Sequence, residues 1–183
     1  MQGKHQKPDS TDMHRLFVAL LPDTRTIRRL TALQAGIKGR KTPPENLHLT
    51  LMFLGNQDST SIPKLKAFIE TLDFKAFDLC IDRRGFFSRL KINWVGASET
   101  PPLLVKLHED IWHHLVPRYV DERKRPFRPH ITLARNALPS EAPLSEPFIW
   151  HIDRLALMES LISREYGKSA VYQILYEKRA DSY

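Results

Sequence analysis

Apolar positions along the chain follow two periods, and the switches between them mark out strands and helices. Arg15 to Leu21 (RLFVALL) is a short continuous apolar run stopped by Pro22, the pattern of a buried strand. Asp23 or Thr24 can then cap a helix with Ile27, Leu30, Leu33 and Ile37 on one face. Gly36 and Gly39 end that helix, and Pro43-Pro44 force an extended connection. Leu47 to Leu54 (LHLTLMFL), closed by Gly55, reads as a second strand. Strict alternation turns His48, Thr50 and Met52 to one side and Leu47, Leu49, Leu51 and Phe53 to the other.

Ser61 to Leu72 carries Leu65, Phe68, Ile69 and Leu72 at helical spacing, with Pro63 tolerated in the first turn. Phe77 to Phe86 and Leu90 to Val95 predict a hairpin around Phe-Ser-Arg. Pro101-Pro102 open a helix bearing Leu104, Leu107, Ile111 and Leu115, which ends near Pro117. A basic loop, Asp121 to Pro129, then leads into a short strand, His130 to Ala134. Phe148 to Met158 and Ser169 to Tyr176 are two more strands, separated by a polar loop through Gly167. Residues 1–13 lack apolar periodicity and are expected to form a flexible tail, leaving 14–183 as a single domain. Strands and helices mix without regular alternation, which predicts an α+β fold with largely antiparallel sheet rather than a doubly wound parallel one.

The chain's 183 residues include 28 Lys+Arg against 21 Asp+Glu, a net charge of +7. That balance favours encounter with phosphate-bearing partners but says nothing of fold. The single cysteine, Cys80, can form neither an internal disulfide nor a cysteine-based metal site. No apolar run is long enough to span a membrane and no signal peptide is visible, so a cytoplasmic protein without membrane association is expected.

The candidate chemistry lies in a pattern that occurs twice: His48-Leu49-Thr50-Leu51 and His130-Ile131-Thr132-Leu133. In each, strand alternation lets the apolar pair anchor in a core while His and Thr project from the other face. Two imidazoles can hold opposite protonation states, as concerted acid–base work requires. Two hydroxyls can donate to anionic oxygens without adding fixed charge. A phosphodiester needs a base for the attacking oxygen, an acid for the leaving oxygen and donors for the others, and the two elements supply all three without a metal or cofactor. Acyl transfer fits less well, because neither element holds a Ser or Cys nucleophile.

These two elements, with RLFVALLP at Arg15 to Pro22, ENLHLTLMFLG at Glu45 to Gly55 and RPFRPHITLAR at Arg125 to Arg135, resemble the signature segments of the 2H phosphoesterase superfamily. The match is to its RNA 2′,3′-cyclic phosphodiesterase branch, historically called 2′-5′ RNA ligases. MESLISREYGKSAVYQIL resembles the family's closing strand pair, so the likeness spans roughly Arg15 to Tyr176. The resemblance implies a two-lobed, pseudo-symmetric fold with antiparallel sheets around a central cleft, helices outside, and one motif from each lobe. It implies hydrolysis of an RNA terminal 2′,3′-cyclic phosphate to a 2′-phosphomonoester, with His130 as general base, His48 as general acid, and Thr50 and Thr132 on the phosphate oxygens. The residues alone leave open which imidazole is acid and which is base.

Arg135 is a further candidate for the phosphate, although strict alternation places it opposite His130 and Thr132 unless a strand end or twist brings it in. Phe127 is a candidate for base stacking, with a core plug under the proline-rich loop as its competitor. Phe17 is assigned to the core. Arg123, Lys124, Arg125 and Arg128 either track an RNA backbone or form a solvated turn. His108, His113 and His114 share a predicted helix at spacings that do not match a metal pair, and His14 and His151 have no companions in the sequence. The partner expected is RNA with a cyclic phosphate end, bound by a monomer with no obligate protein partner. The competing readings are 2′-5′ RNA ligation, action on a small cyclic nucleotide, and a non-catalytic RNA-end binding module.

Overall fold

The computed structural model describes residues 13–119, 126–140, 144, 146–162 and 170–181. The expectations for Met1 to Asp12, for Arg123, Lys124 and Arg125, and for the loop through Gly167 lie outside the described residues, whereas Met13, expected in the tail, opens the first strand opposite Asp58. The strands are β1 (Met13–Leu20), β2 (Arg40–Lys41), β3 (Leu49–Asp58), β4 (Phe77–Ile81), β5 (Arg83–Phe87), β6 (Ile92–Gly96), β7 (Ile131–Arg135), β8 (Phe148–Ile152), β9 (Arg154–Ile162) and β10 (Ala170–Arg179). The helices are α1 (Thr24–Leu33), α2 (Ser61–Thr71) and α3 (Pro102–Tyr119), with a 3-10 turn at Pro44–Asn46. This is the α+β fold with antiparallel pairing that the periodicity predicts.

Local chemistry sets most boundaries. Asp23 caps α1, its carboxylate accepting from the Thr26 amide at 2.7 Å. The helix stops at Leu33, short of Ile37, because Gly36 takes a left-handed φ of 74°. Ile37 still enters the core, but from the loop. At the other end of the chain's middle section, α3 runs on through Pro117 to Tyr119. A proline so near a helix end forfeits one late hydrogen bond and does not stop the helix where the sequence placed its end.

Eight strands form one sheet in the order β10-β9-β1-β3-β7-β6-β5, with β2 also paired to β7. Its two halves meet at a single residue pair, Leu49 against Ile131. Beyond that pair β3 diverges, and β2 takes its place beside β7, with Arg40 opposite Arg135 and Lys41 opposite Ala134. Two runs expected as single strands each turn a corner at an aspartate. Phe77 to Phe86 breaks at Asp82, whose carboxylate accepts from the Ser98 amide at 2.7 Å and hydroxyl at 2.5 Å. Phe148 to Met158 breaks at Asp153, whose carbonyl accepts from the Ala180 amide at 2.9 Å. The first halves, β4 and β8, pair with each other, while β5 and β9 join the large sheet.

All three helices lie on one face of the large sheet. Leu30 of α1, Leu65 and Ile69 of α2, and Leu104, Leu107, Ile111 and Leu115 of α3 pack into one core with Leu16, Val18 and Leu20 of β1. The alternate residues of β1, Phe17 and Ala19, face the other way and join Leu21, Ala156, Met158 and Tyr172 in a second, smaller cluster. Both His-x-Thr elements open onto that second face. Among the described residues no helix is long and apolar enough to cross a membrane.

Candidate functional site

Leu49 and Ile131 are fully buried, and their pairing brings the two elements side by side where the halves of the sheet join. The antiparallel register runs His48 toward Thr132 and Thr50 toward His130. Each histidine sits just before its strand, and each is tied to the backbone in the same way. His48 Nδ1 lies 2.7 Å from the Asn46 carbonyl, and His130 Nδ1 lies 2.7 Å from the Arg128 carbonyl, two residues upstream in both cases. A carbonyl only accepts, so Nδ1 carries the proton in both rings, and Nε2 is the nitrogen left to exchange one. His48 Nε2 lies 3.0 Å from the Thr50 hydroxyl, which donates to it when the ring is neutral.

Burial decides the resting charge. The His48 pKa is pushed down to about 4, first by desolvation and then by the nearby positive charges of Arg135 and His130, against a raising contribution from the Asn46 carbonyl. His130 is held below its ordinary value for the same leading reason, with Arg135 adding to the depression. Both rings are therefore neutral near pH 7 in the empty site. The sequence pattern suggested two imidazoles in opposite states. An anion must arrive before such a state is favoured.

Aromatic rings wall in each histidine. Phe17 and Tyr172 flank His48 with ring centroids at 5.1 and 5.2 Å. Phe87 and Trp94 flank His130 at 5.0 and 6.2 Å. Phe17 is buried, as expected, but its burial is against His48. The Trp94 indole lies over Gly85, where a Cβ would come within 2.1 Å of the ring, so only glycine admits it. A Cβ at Gly96 would meet the Pro129 carbonyl at 2.8 Å, so that glycine lets the segment leading to His130 close on β6.

The strict alternation assumed for these strands fails at an equivalent place in each, and in β3 a second time at Leu54. In the register of β1 against β3, Ala19 opposes Thr50 and Val18 opposes Met52, which leaves Leu51 as an extra residue. In the register of β6 against β7, Trp94 opposes Thr132 and Asn93 opposes Ala134, which leaves Leu133 extra. Each bulge buries two consecutive residues and reverses the alternation beyond it. Met52 therefore turns into the helix-side core rather than joining His48 and Thr50. Phe53 turns out of the core and is 60% exposed on the site face, 6.0 Å from Phe17. Arg135 returns by the same device to the face of His130 and Thr132, and its charge acts on both imidazoles. Five residues after each histidine, the site thus presents a guanidinium from one half and an exposed phenyl ring from the other. The sequence reading missed Phe53 as a site residue because it had no signal for the bulge.

Phe127 stands elsewhere. It stacks on His108 of α3 at 3.8 Å and lines a groove with Thr100, Val105, Glu109 and Trp112. His114 stacks on Phe68 and accepts from Arg118 at 2.7 Å. His14 and His151, without companions in the sequence, meet Glu159 and Asp78 at 2.7 and 2.8 Å. Among the described residues no three potential metal ligands converge.

Asn46 ties the first histidine to the rest of the fold. Its carbonyl holds His48, and its buried amide group donates at 2.8 Å to the carbonyl of Ala170, at the start of the strand that brings Tyr172 against His48. In Asn46→Ala the carbonyl remains but the strand is released and water reaches the ring. The expected result is a His48 pKa that rises from about 4 toward its ordinary value, followed by proton NMR titration of the ring. A stability loss of about 1 kcal/mol should accompany it. An unchanged His48 titration would show that Asn46 does not position the ring.

The sequence profile of the 2′-5′ RNA ligase superfamily matches residues 21–161. A protein of Escherichia coli K12 named RNA 2′,3′-cyclic phosphodiesterase is 33% identical over 114 residues, covering 61% of this chain and 64% of its own length, just under two thirds. A Thermus thermophilus protein of the same name is 28% identical over 179 residues, covering 88% of this chain and 87% of its own. The crystal structure of E. coli LigT in its apo form superposes with a TM-score of 0.78 at 26% identity, across 92% of this chain and 98% of that one.

Proposed function

This chain belongs to the 2′-5′ RNA ligase superfamily, and from that premise we propose that it hydrolyses the 2′,3′-cyclic phosphate at an RNA end to a 2′-phosphomonoester. The observation that carries the reading is the matched pair of imidazoles, each with Nδ1 held by a carbonyl and Nε2 left for proton transfer. Relatives bearing the name RNA 2′,3′-cyclic phosphodiesterase support this choice of substrate class.

In this mechanism water attacks phosphorus while His130 Nε2 takes its proton. The bond from phosphorus to O3′ breaks, and His48 Nε2 delivers a proton to the departing oxygen. Thr50, Thr132 and Arg135 hold the non-bridging oxygens, where negative charge builds up in the transition state. Phe53 offers the terminal base a flat apolar face. His48 is neutral in the empty site, and the bound phosphodiester anion favours its protonated form. Base, acid and anion donors are all side chains of this protein, so EDTA is expected to leave turnover unaffected.

The test is a short RNA ending in a 2′,3′-cyclic phosphate, incubated with the protein in EDTA, with the product resolved as 2′- or 3′-monophosphate. Conversion to the 2′-phosphate is expected. RNA left unconverted would remove the hydrolase reading, and a 3′-phosphate would reverse the leaving-group assignment.

A further inference from the structure

The second bulge of β3 has a consequence for the face beyond Phe53. Leu54 is the extra residue there, so Phe53 opposes Phe17 while Asn56 opposes Arg15. Gly55, at a left-handed φ of 69°, admits the bulge, and Leu54 is buried in the helix-side core. Without that extra residue Asn56 would turn to the helix side. The partner strand β1 alternates without interruption: Leu16, Val18 and Leu20 enter the helix-side core, and Phe17 and Ala19 the cluster on the site face. Arg15 therefore emerges on the site face, two residues from Phe17, and Asn56 directly opposite shares that face.

Two further contacts tie this row to the site. Arg15 is the diagonal neighbour of the exposed Phe53 ring, within reach of a long side chain. Continuing the register of β1 with β9, Arg15 also stands across from Ser160, which opposes Tyr172, whose ring flanks His48 at 5.2 Å. Arg15 and Asn56 are both exposed, and among the described residues neither side chain is engaged in a hydrogen bond or an ion pair. Along β1 the opposing residues of β3 are Thr50 at Ala19, Phe53 at Phe17 and Asn56 at Arg15. The face thus offers a hydroxyl donor, a flat apolar ring and a pair of polar side chains in succession. Phosphate, base and base edge follow one another in that order in a nucleotide.

We propose that Arg15 and Asn56 read the edge of the terminal base stacked on Phe53, and that they favour guanine. The proposal rests on the hydrolase reading above and narrows its substrate class. Guanine presents two acceptors, N7 and O6, followed by the N1–H donor. The Arg15 guanidinium donates to N7 and O6, and the Asn56 side-chain carbonyl accepts from N1–H. Adenine carries an amino group where guanine has O6, so a donor would face a donor.

The experiment measures kcat/KM for two short RNAs with cyclic ends, identical except for guanine or adenine as the last base, with wild type, Arg15→Gln, Asn56→Ala and Lys64→Gln. Lys64 is an exposed charge on α2 and controls for the general field of the protein. The two RNAs carry the same phosphates, so a contact with the backbone cancels in their ratio. Wild type should prefer the guanine end about tenfold, toward the low end of what a bidentate Arg contact contributes. Arg15→Gln should bring the ratio close to one, by a loss on the guanine end alone and through KM rather than kcat. Asn56→Ala should lower it by a smaller factor, and Lys64→Gln should leave it unchanged. Equal turnover of the two ends by wild type, an unchanged ratio in Arg15→Gln, an equal fall on both ends, or the same change in Lys64→Gln overturns the proposal while leaving the hydrolase intact. If wild type converts neither RNA, the hydrolase reading fails. Binding of the same RNAs ending in a 2′-monophosphate then decides the base contact: a preference of about tenfold for the guanine end that Arg15→Gln abolishes upholds it, and equal binding of the two ends overturns it.

Discussion

His48→Ala and His130→Ala are each expected to lower kcat on a cyclic-phosphate RNA by about a thousandfold, within the range spanned by general acid and general base groups. In the proposed mechanism the two rings act in one step, on the attacking and the leaving oxygen, so removing both should cost little more than removing either. KM should change less than kcat, because Arg135, the two threonines and Phe53 still meet the ground-state substrate. Stopped reactions on the same RNA measure the effect, with circular dichroism to establish that each variant is folded. His48 matters most for that control, since its Nδ1 contact with Asn46 lies within a packed set of rings. A single variant within tenfold of wild type would sink the paired mechanism, because the remaining imidazole cannot be both acid and base in one concerted step.

Much of this site was legible in the chain. The two His-x-Thr elements could be read as strands because Leu49 and Leu51, like Ile131 and Leu133, sit two apart and bury on one side. The cap at Asp23 and the helical stripes of α2 and α3 were equally local and equally readable. What escaped shares one physical cause. The bulges at Leu51 and Leu133 lie where two apolar residues follow one another, Leu51-Met52 and Leu133-Ala134, and such a pair fits strict alternation as well as it fits a bulge. Only the partner strand's register decides between them, and register is a long-range property. The corners at Asp82 and Asp153 hide likewise inside runs that read as single strands, and the groups that meet each corner, Ser98 and Ala180, lie far away in sequence. The walls around each histidine come from strands far away in sequence, with Trp94 seated over Gly85 and Tyr172 brought in by β10. Phe127 was left between base stacking and a core plug. It is close in sequence to His130, yet its ring stacks on α3. Arg135 was the near miss: the sequence offered the residue, and one extra residue in β7 supplies the turn of face it needed.

The acidity of the two rings leads to the second large effect, a displacement of the pH optimum between the free protein and its complex. The proposed step needs His48 protonated and His130 neutral. In the free protein a group with a pKa of about 4 is protonated in roughly one molecule in a thousand at pH 7. His130, also held below its ordinary value, is ready as a base throughout the neutral range. The profile of kcat/KM, which reports the free protein, should therefore be a bell whose maximum lies on the acid side of pH 6.5. It should fall about tenfold per pH unit on its alkaline side as His48 loses its proton. Once the phosphodiester is bound, its negative charge offsets the desolvation and the charge of Arg135, and both imidazoles gain proton affinity. The alkaline limb of kcat should accordingly lie at higher pH than that of kcat/KM. The apparent values belong to the pair of rings and not to either one alone. Initial rates on the cyclic-phosphate RNA from pH 4.5 to 9, at saturating and at limiting substrate, resolve the two profiles. A kcat/KM that stays level between pH 6 and 8, or alkaline limbs that coincide, would mean that phosphate binding does not install the proton on His48. The acid would then have to be another group.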